Sequence, residues 1–446
     1  MPAKTYIDEN KTWYLDAFQE FEQSLNGQRQ APVHALRQDA IGHFGSLGFP
    51  TPKNESWNYT NLARLNRTNW RPAPVPTTAP TLTQLEPLLA KELDGVRLVF
   101  VNGHFAPDLS AMDQLPAGVL ATDLPGALQD HPELVEPHLG TYASSQQHSL
   151  VALNTAFLQD GAFIHIPSGT IVERPLHLLF VSTGGAEPTV SFPRVLVDAQ
   201  AGSRAAIVTT YAGFTETAYH TNAVDEINLG EDAELDFYKI QLEGPQAYHL
   251  SSLHVQEGAK ARFRAHTVTL GGLLTRNDAH TVLAGTGIES TLNGLYVVDD
   301  EQHVDNHTLI EHAAPGCTSH ELYKGILGGR ATGAFRGKIH VHQVAQQTDA
   351  YQSNQNLLLS PDADINTQPQ LEIYADEVKC SHGATVGQLD PEAIFYMQAR
   401  GIGQQQAMAL LIGAFAGQIL SGIALEPLRA QLDRLVTAKL ATASPA

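Results

Sequence analysis

Two patterns of apolar spacing divide the chain into helical ends and a long β-rich centre. Near the amino terminus, apolar side chains recur every three or four residues, as on one face of a helix: Tyr14, Phe18, Phe21 and Leu25, then Val33, Leu36, Ala40 and Phe44. The proline-rich residues 71–80 do not suit a helix or an inner strand and predict an extended connector. We therefore expect a helical domain over residues 1–90 and a mixed connecting segment over residues 91–149.

The central region consists of short alternating runs that glycine interrupts at regular distances. The interrupting residues are Gly202, Gly230, Gly258, Gly287 and Gly316, which are 28, 28, 29 and 29 residues apart. Each interval holds two alternating runs, so one repeat supplies two strands and two turns. Such repeats predict a parallel β-helix, which we place at residues 150–386. A β-sandwich whose glycine spacing is coincidental is the alternative.

Helical spacing returns in the C-terminal part of the chain. Asp390 can cap a helix, Pro391 suits its first position, and Gly401 suits the left-handed residue that ends it. Residues 401–425 are uncharged, but their four glutamines and one-sided apolar residues favour a buried or partner-facing helix over a membrane span. With a last amphipathic segment, these elements predict a C-terminal helical domain over residues 387–446.

Composition and charge narrow the class of protein. The 446 residues are 43% hydrophobic and include 27 Lys and Arg against 47 Asp and Glu, a formal charge of −20. This charge argues against nucleic acid and anionic membranes as partners, because phosphate contacts need a basic surface. Two cysteines, Cys317 and Cys380, cannot form a disulfide framework or a four-cysteine site, and the amino terminus lacks the apolar core of a signal peptide. We therefore expect a cytoplasmic protein.

Two sets of residues are candidates for chemistry. Asp299, Asp300 and Glu301 could act on a carbohydrate, as paired carboxylates do in glycosidases, but we favour a solvated loop because no spacing fixes two carboxylates across a groove. In the second set, Cys380 and His382 lie two residues apart in a predicted strand and so share one face. A thiolate and an imidazole suit iron or zinc, but two ligands leave such a site incomplete. From these residues alone, a small buried cysteine beside a hydrogen-bonded histidine is the favoured interpretation.

The twenty histidines of the chain offer weaker signals. His340 and His342 would share one face of a strand, as many chance pairs do. Other histidines recur at similar places in successive repeats, namely His220, His249, His280 and His307. We expect structural positions for all of these rather than metal sites.

Long segments of the chain resemble the SufB/SufD family of iron–sulfur cluster assembly proteins. The matching segments are GAFRGKIHV, AQQTDAYQSNQNLLLS, PQLEIYADEVKCSHGATVGQLD and FYMQARGI, with weaker similarity from LNTAFLQDGAFIHIPSGTIVERPLHL onward. The resemblance thus covers most of residues 150–446. It is nearer to the SufD branch, because the chain has Cys-Ser-His-Gly-Ala where SufB-like chains carry a Cys-Glu-His-Glu type segment and further cysteines. The fold class it implies is mainly β, a right-handed parallel β-helix flanked by helical domains.

The same resemblance implies a scaffold subunit rather than an enzyme. Such a subunit works in a cytoplasmic complex with SufB and with the ATPase SufC, which hydrolyses ATP, and the complex assembles clusters under iron limitation or oxidative stress. Cys380 and His382 would hold a transient iron–sulfur cluster or iron at the interface with SufB, with no cofactor bound tightly to the isolated chain. For SufC binding by the C-terminal helices, we expect contacts from Phe395, Arg400, Met408, Leu411, Phe415 and Ile419.

The open edge of a β-helix predicts how the subunits join. Unpaired edge strands favour pairing with another chain. We therefore expect a heterodimer with SufB through the β-helix, and a homodimer as an option for the chain alone.

Overall fold

A parallel β-helix forms the body of the molecule, and helices lie near both ends of the chain. The computed structural model describes residues 3–25, 32–76, 79–90, 93, 95–113, 115–185 and 187–442. The helices are α1 (Ala3–Ser24), α2 (Pro32–Leu47), α3 (Leu82–Leu85), α4 (Leu124–Asp130), α5 (Pro132–Val135), α6 (Ser149–Ala156), α7 (Pro391–Gln398), α8 (Gln404–Leu420) and α9 (Glu426–Thr442). Short 3₁₀ turns lie at Glu55–Trp57, Leu65–Arg67, Glu86–Leu88 and Pro107–Leu109.

The strands are numbered along the chain. They are β1 (Arg71–Pro72), β2 (Val96–Val101), β3 (His104–Phe105), β4 (Leu120–Asp123), β5 (Ala162–Ile166), β6 (Leu176–Ser182), β7 (Thr189–Ser191), β8 (Arg194–Ala199), β9 (Arg204–Gly213), β10 (Tyr219–Leu229), β11 (Glu234–Leu242), β12 (Ala247–Glu257), β13 (Arg262–Thr269), β14 (Leu274–Leu283), β15 (Glu289–Val298), β16 (His303–His312), β17 (Thr318–Leu327), β18 (Thr332–Val341), β19 (Thr348–Leu358), β20 (Asp364–Ile373) and β21 (Val378–Gly387).

Successive strands alternate between two sheets. Sheet A has the order β20-β18-β16-β14-β12-β10-β8-β5-β4, and sheet B has the order β21-β19-β17-β15-β13-β11-β9-β6-β2-β3. Each repeat adds one strand to each sheet, parallel to the strand one repeat earlier. The predicted β-helix with helical ends is therefore confirmed, and the sandwich alternative, which is built from antiparallel strands, is wrong.

Glycine at the corners lets successive repeats stack closely. A β-carbon at Gly258 would lie 2.9 Å from the carbonyl oxygen of Leu229, and one at Gly230 would lie 2.5 Å from the backbone nitrogen of Ala201. Since no other residue lacks a β-carbon, glycine at these two corners follows from the stacking of one corner on the previous one. The other three regularly spaced glycines instead have positive φ, which glycine adopts without strain, namely Gly202, Gly287 and Gly316.

The β-helix begins inside the segment that the sequence predicts to be connecting. β2 pairs in parallel with β6, and β4 pairs with β5, so both strands extend the two sheets. At the end of β2, Asn102 and Gly103 both have positive φ and form a tight turn into β3, as an Asn-Gly pair after a strand typically does. Helix α6 lies at the start of the range that we assigned to strands.

Helices cover part of the outer face of each sheet. Residues of α1, α2 and α6 form one apolar cluster with the outer face of sheet A, which includes Tyr14, Phe44, Phe157, Tyr248 and Leu250. Helices α8 and α9 form another cluster with sheet B. In the described ranges, no helix combines the length and the apolar character needed to cross a membrane.

The start and the end of α7 agree with the sequence signals. The Asp390 side chain accepts a hydrogen bond of 2.9 Å from the backbone N–H of Glu392, and Pro391 occupies the first turn. Gly401 follows the helix with a φ of +86°. These local signals place α7 directly after the last strand of the β-helix.

Candidate functional site

The predicted pair Cys380 and His382 lies on β21, the last strand of sheet B. β21 pairs with β19, with Cys380 opposite Ala350 and His382 opposite Gln352. Among the described strands, β19 is the only neighbour of β21 in the sheet. The pair is therefore at the open end of the β-helix, where the next repeat would stand.

Alternation along β21 directs the two side chains toward the interior of the β-helix. Cys380 and Val378 are half-buried and pack against the interior apolar cluster, whereas Lys379 and Ser381 are exposed. His382 continues the inward series but is exposed, because no further repeat of the described chain covers it. The thiol and the imidazole thus face the same opening.

The surroundings of Cys380 keep its thiol protonated. Burial raises the pKa of the thiol, and the nearby carboxylate of Asp349 raises it further. The backbone N–H of Ala350 opposes this shift by hydrogen bonding to the sulfur. Because the thiolate is the form that binds metal, the sulfur needs a cation or a basic group at the opening to become a ligand.

Polar side chains lie in the interior next to the pair, where earlier repeats are apolar. The inward position occupied by His382 is occupied by Gln352 and Glu321 in the two preceding repeats, and by Leu292 before them. Gln352 Nε2 donates a hydrogen bond of 2.6 Å to Glu321, and burial raises the pKa of Glu321 to about 7. A β-carbon at Gly337 would lie 2.2 Å from Gln352 Nε2, so glycine leaves room for this contact.

Our sequence analysis missed Glu321 and Gln352. The available signal was a change in the alternating runs, from apolar inward positions to the polar series of Gln352, Asn354 and Asn356. This signal becomes readable once the inward register of each strand is known.

The pair stays incomplete within the described part of the chain. Cys317, the second cysteine, is buried, and its Sγ lies 3.2 Å from the carbonyl oxygen of Gly285. Across the described ranges, no three His, Cys, Asp or Glu side chains are arranged around one point as metal ligands are. Cys380 and His382 therefore supply two ligands at most, and further ligands must come from outside this set.

Part of the predicted C-terminal contact set is exposed. Phe395 on α7 is 72% exposed, and the Arg400 guanidinium stacks 3.5 Å above the ring of Tyr396. Met408 and Leu411 on α8 are half-buried. These four residues lie between positions 395 and 411, at the start of the C-terminal helices.

The other part of that set packs within the molecule. Ile419 is 1% exposed and lies in the apolar cluster between α8 and sheet B. Phe415 is half-buried beneath Lys324, whose Nζ donates a hydrogen bond of 3.1 Å to the Phe415 carbonyl oxygen. The expectation of a partner contact at Ile419 is thus corrected, because the outer face of sheet B is apolar and this helix covers it.

Residues 299–301 are turn residues between β15 and β16. Asp300 has a φ of +57°, and the Glu301 carboxylate forms an exposed ion pair of 2.5 Å with Arg330. We therefore interpret the three carboxylates as solvated turn residues, and no substrate is needed to explain their presence.

Comparison with known proteins gives matches along most of the chain. Residues 180–415 match the model of the SUF system FeS cluster assembly SufBD core domain, and residues 8–178 match that of the SufBD protein N-terminal region. An iron–sulfur cluster assembly SufBD family protein of Synechocystis sp. is 32% identical over 423 residues, 93% of each chain. The iron–sulfur cluster assembly protein SufD of Escherichia coli is 32% identical over 387 residues, 86% of this chain and 88% of that protein.

A third relative, the iron–sulfur cluster assembly protein SufD of Bacillus subtilis, is 26% identical over 444 residues, 96% of this chain and 98% of that protein. The β-helix, its open end and these matches together define a protein of iron–sulfur cluster assembly in the SUF system. The chain belongs to the SufBD family. The resemblance in the segments around Cys380 and His382 is therefore confirmed at the level of the family.

Proposed function

We propose that the chain is a scaffold subunit that shares an iron or iron–sulfur cluster site with a SufB-like partner. The observation that supports this role is the place of Cys380 and His382, which face the open end of the β-helix from its last strand. A second chain at this end could add the missing ligands, since an iron site or cluster takes about four protein ligands.

The open end also has the properties of an interface. Within the described chain, β20 and β21 each have one neighbouring strand in their sheets, so one backbone edge of each strand is free to pair. Exposed apolar side chains lie on these two strands or just after them, namely Ile373, Tyr374 and Val386. We infer that a SufB-like chain docks here by strand addition.

The chemistry at the shared site follows from the protonation of the thiol. Iron binding requires the Cys380 thiolate and the neutral His382 ring, so one proton leaves the sulfur for each iron–sulfur bond formed. Because burial and Asp349 raise the pKa of the thiol, loading weakens as the buffer becomes acidic. The chain contributes ligands and position, and we assign ATP hydrolysis to a SufC-like partner.

The SufC-like partner is proposed to dock at the exposed start of the C-terminal helices. Phe395, Tyr396 and Leu410 are exposed aromatic and aliphatic side chains, and Arg400 stacks on Tyr396. A few such anchors usually supply most of the binding free energy of an interface. Met408 and Leu411 border the same surface, whereas Ile419 belongs to the packing beneath α8.

The test is co-expression with SufB-like and SufC-like chains, followed by anaerobic purification and measurement of iron and acid-labile sulfide. The double variant Cys380→Ala, His382→Ala should assemble into the complex but contain much less iron and sulfide, because Cys380 is only half-buried at the open end, alanine keeps its β-carbon, and His382 is exposed. The matched control is Ser381→Ala, on the opposite face of β21, which should retain both. Unchanged iron and sulfide in the double variant would rule out the shared site.

A further inference from the structure

The outer face of sheet A carries a group of histidines and carboxylates near the last repeats. Its members, which we call the outer histidine cluster, are His280, Glu311, His340, His342 and Glu372. His280 Nε2 lies 3.2 Å from Glu311 Oε2, and His342 Nε2 lies 2.6 Å from Glu311 Oε1. Glu311 is therefore contacted by an imidazole at each of its two carboxylate oxygens.

The register of four parallel strands brings these residues together. Glu311 on β16 stands opposite His340 on β18, which stands opposite Glu372 on β20. His342 follows His340 by two residues, and the centroids of their rings are 4.7 Å apart. His280 reaches Glu311 from β14, the strand on the other side.

Burial and charge leave this cluster accessible and one of its carboxylates ionised. The side chains of His280, Glu311 and His342 are 29%, 27% and 40% exposed. The hydrogen bond from His280, joined by that from His342, lowers the pKa of Glu311 to about 2 against the opposing effect of burial. A carboxylate and two imidazoles thus meet at a surface that solution can reach.

We propose that His280, Glu311 and His342 bind one divalent transition-metal ion. Two histidines and one carboxylate with open positions are a donor set typical of Fe²⁺ sites, and the same ligand types bind other first-row ions. Ligand atoms that share one such ion at about 2.1 Å are roughly 3.0–3.4 Å apart. Of the two contacts of Glu311, the one from His280, at 3.2 Å, lies within that range, whereas the one from His342, at 2.6 Å, is a hydrogen bond that must lengthen when both groups bind an ion.

Binding requires a small movement of the rings. In the structure the two histidines contact different oxygens of Glu311, and within the described ranges no three such groups already enclose one point. Both histidine side chains are partly exposed on the outside of the sheet, so they can turn about their side-chain bonds toward a common ion.

His340 and Glu372 are neighbours of the proposed ion rather than its first ligands. Glu372 Oε2 lies 2.6 Å from Lys338 Nζ and 3.1 Å from His340 Nδ1. The lysine charge offsets that of Glu372 and would oppose a second cation there. The ion is therefore assigned to Glu311, whose carboxylate contacts His280 and His342.

The cluster lies on the last repeats, as the proposed shared site does. The ring of Tyr374 is 5.4 Å from that of His340, and Tyr374 precedes Cys380 by six residues, which span at most about 22 Å of chain. The proposal of a metal site depends on the contacts of Glu311. The further statement that the bound ion is iron rests on the proposed function.

The test is anaerobic equilibrium dialysis of the full chain against Fe²⁺ and, separately, Co²⁺, with metal analysis. The purified chain should bind one equivalent near neutral pH at this cluster. Glu311→Gln and His342→Ala should each weaken that binding by at least about tenfold. Gln keeps the shape of Glu311, and an unchanged thermal midpoint would show that the variant is folded.

Two controls separate this site from the open end. His320→Ala removes an exposed histidine from the other sheet, where it stacks on Tyr351, and should leave binding unchanged. The double variant Cys380→Ala, His382→Ala should also bind one equivalent of metal. The proposal is overturned if the unaltered chain binds no stoichiometric metal, if Glu311→Gln binds as well as the unaltered chain, or if only the double variant loses the ion.

Discussion

At the scale of single residues, the interior of this β-helix contains carboxylic acids that are costly to ionise. Glu257 is fully buried, and its Oε1 accepts hydrogen bonds from Thr281 at 2.5 Å and Ser290 at 2.8 Å. Its other oxygen is buried and has no hydrogen-bond partner among the residues that the structure describes. Burial raises the pKa of Glu257 to about 8, so this side chain is neutral in the folded protein at neutral pH.

This pKa makes the stability of the protein depend on pH. Because the folded state binds its proton more tightly than the unfolded state, Glu257 stabilises the fold most at acidic pH, and the contribution is lost as pH rises through about 8. Glu257→Gln cannot ionise at this position. Its free energy of unfolding, relative to that of the unaltered protein, should therefore rise by about 1–3 kcal/mol as the pH increases from about 5 to about 9. Urea unfolding across this range measures the difference.

The control for this prediction is Glu301→Gln at the exposed β15–β16 turn, where the carboxylate is paired with Arg330. The difference in free energy of unfolding between Glu301→Gln and the unaltered protein should not change with pH over the same range. If the difference for Glu257→Gln were also independent of pH, Glu257 would not have the raised pKa described above.

At the scale of elements, α7 carries a proposed docking residue, whereas α8 carries a residue that packs within the molecule. Phe395 on α7 is exposed, whereas Ile419 on α8 is buried against sheet B. Phe395→Ser should weaken binding of the SufC-like ATPase and leave the free energy of unfolding nearly unchanged. Ile419→Ala should lower that free energy by about 2–5 kcal/mol, because it opens a cavity, and should retain ATPase binding below the unfolding transition.

Pull-down and urea unfolding of the two variants check this separation. Leu410→Ala, at a position of α8 that is 50% exposed, is the control for packing and should change stability little. Undiminished ATPase binding by Phe395→Ser would place the docking surface elsewhere.

Elements with local causes could be predicted from the sequence. The cap of α7 at Asp390, the turn at Asn102 and Gly103 and the glycine spacing of the corners each depend on a few neighbouring residues. The shared face of Cys380 and His382 followed from alternation alone.

The remaining features depend on which elements meet in space. An apolar face shows that a helix is covered, but the sequence did not reveal that sheet B covers Ile419. The outer histidine cluster joins strands whose residues are up to 92 positions apart, from His280 to Glu372, and only the register of sheet A brings them together. Glu321 and Gln352 likewise acquire their meaning from the inward register of β17 and β19.

At the scale of the whole molecule, the β-helix is open at its last repeat, and helices cover part of each sheet. N-terminal helices cover part of sheet A, and C-terminal helices cover part of sheet B. Within the described chain, β20 and β21 each keep one free edge, and a partner chain could pair there. A lysine placed on such an edge opposes strand addition, because its charge would be buried in the joined sheet.

Val386→Lys on β21 should therefore shift the complex with the SufB-like chain toward free subunits, while the β-helix stays folded. Sedimentation velocity at matched concentrations measures the dissociation. The control is Val344→Lys in the exposed β18–β19 turn, which should associate normally. Undiminished association of the Val386 variant would place the interface on another face.

The central claim is that His382 of this chain is a ligand of a site completed by another chain. The most direct measurement incorporates isotopically labelled histidine into this chain alone, assembles it with unlabelled SufB-like and SufC-like partners, and records the nitrogen couplings of the reduced cluster by pulsed electron paramagnetic resonance. The account predicts a coupling from the labelled nitrogen that disappears in the complex carrying His382→Ala. A loaded complex without such a coupling, or with the same coupling in the variant, would contradict it.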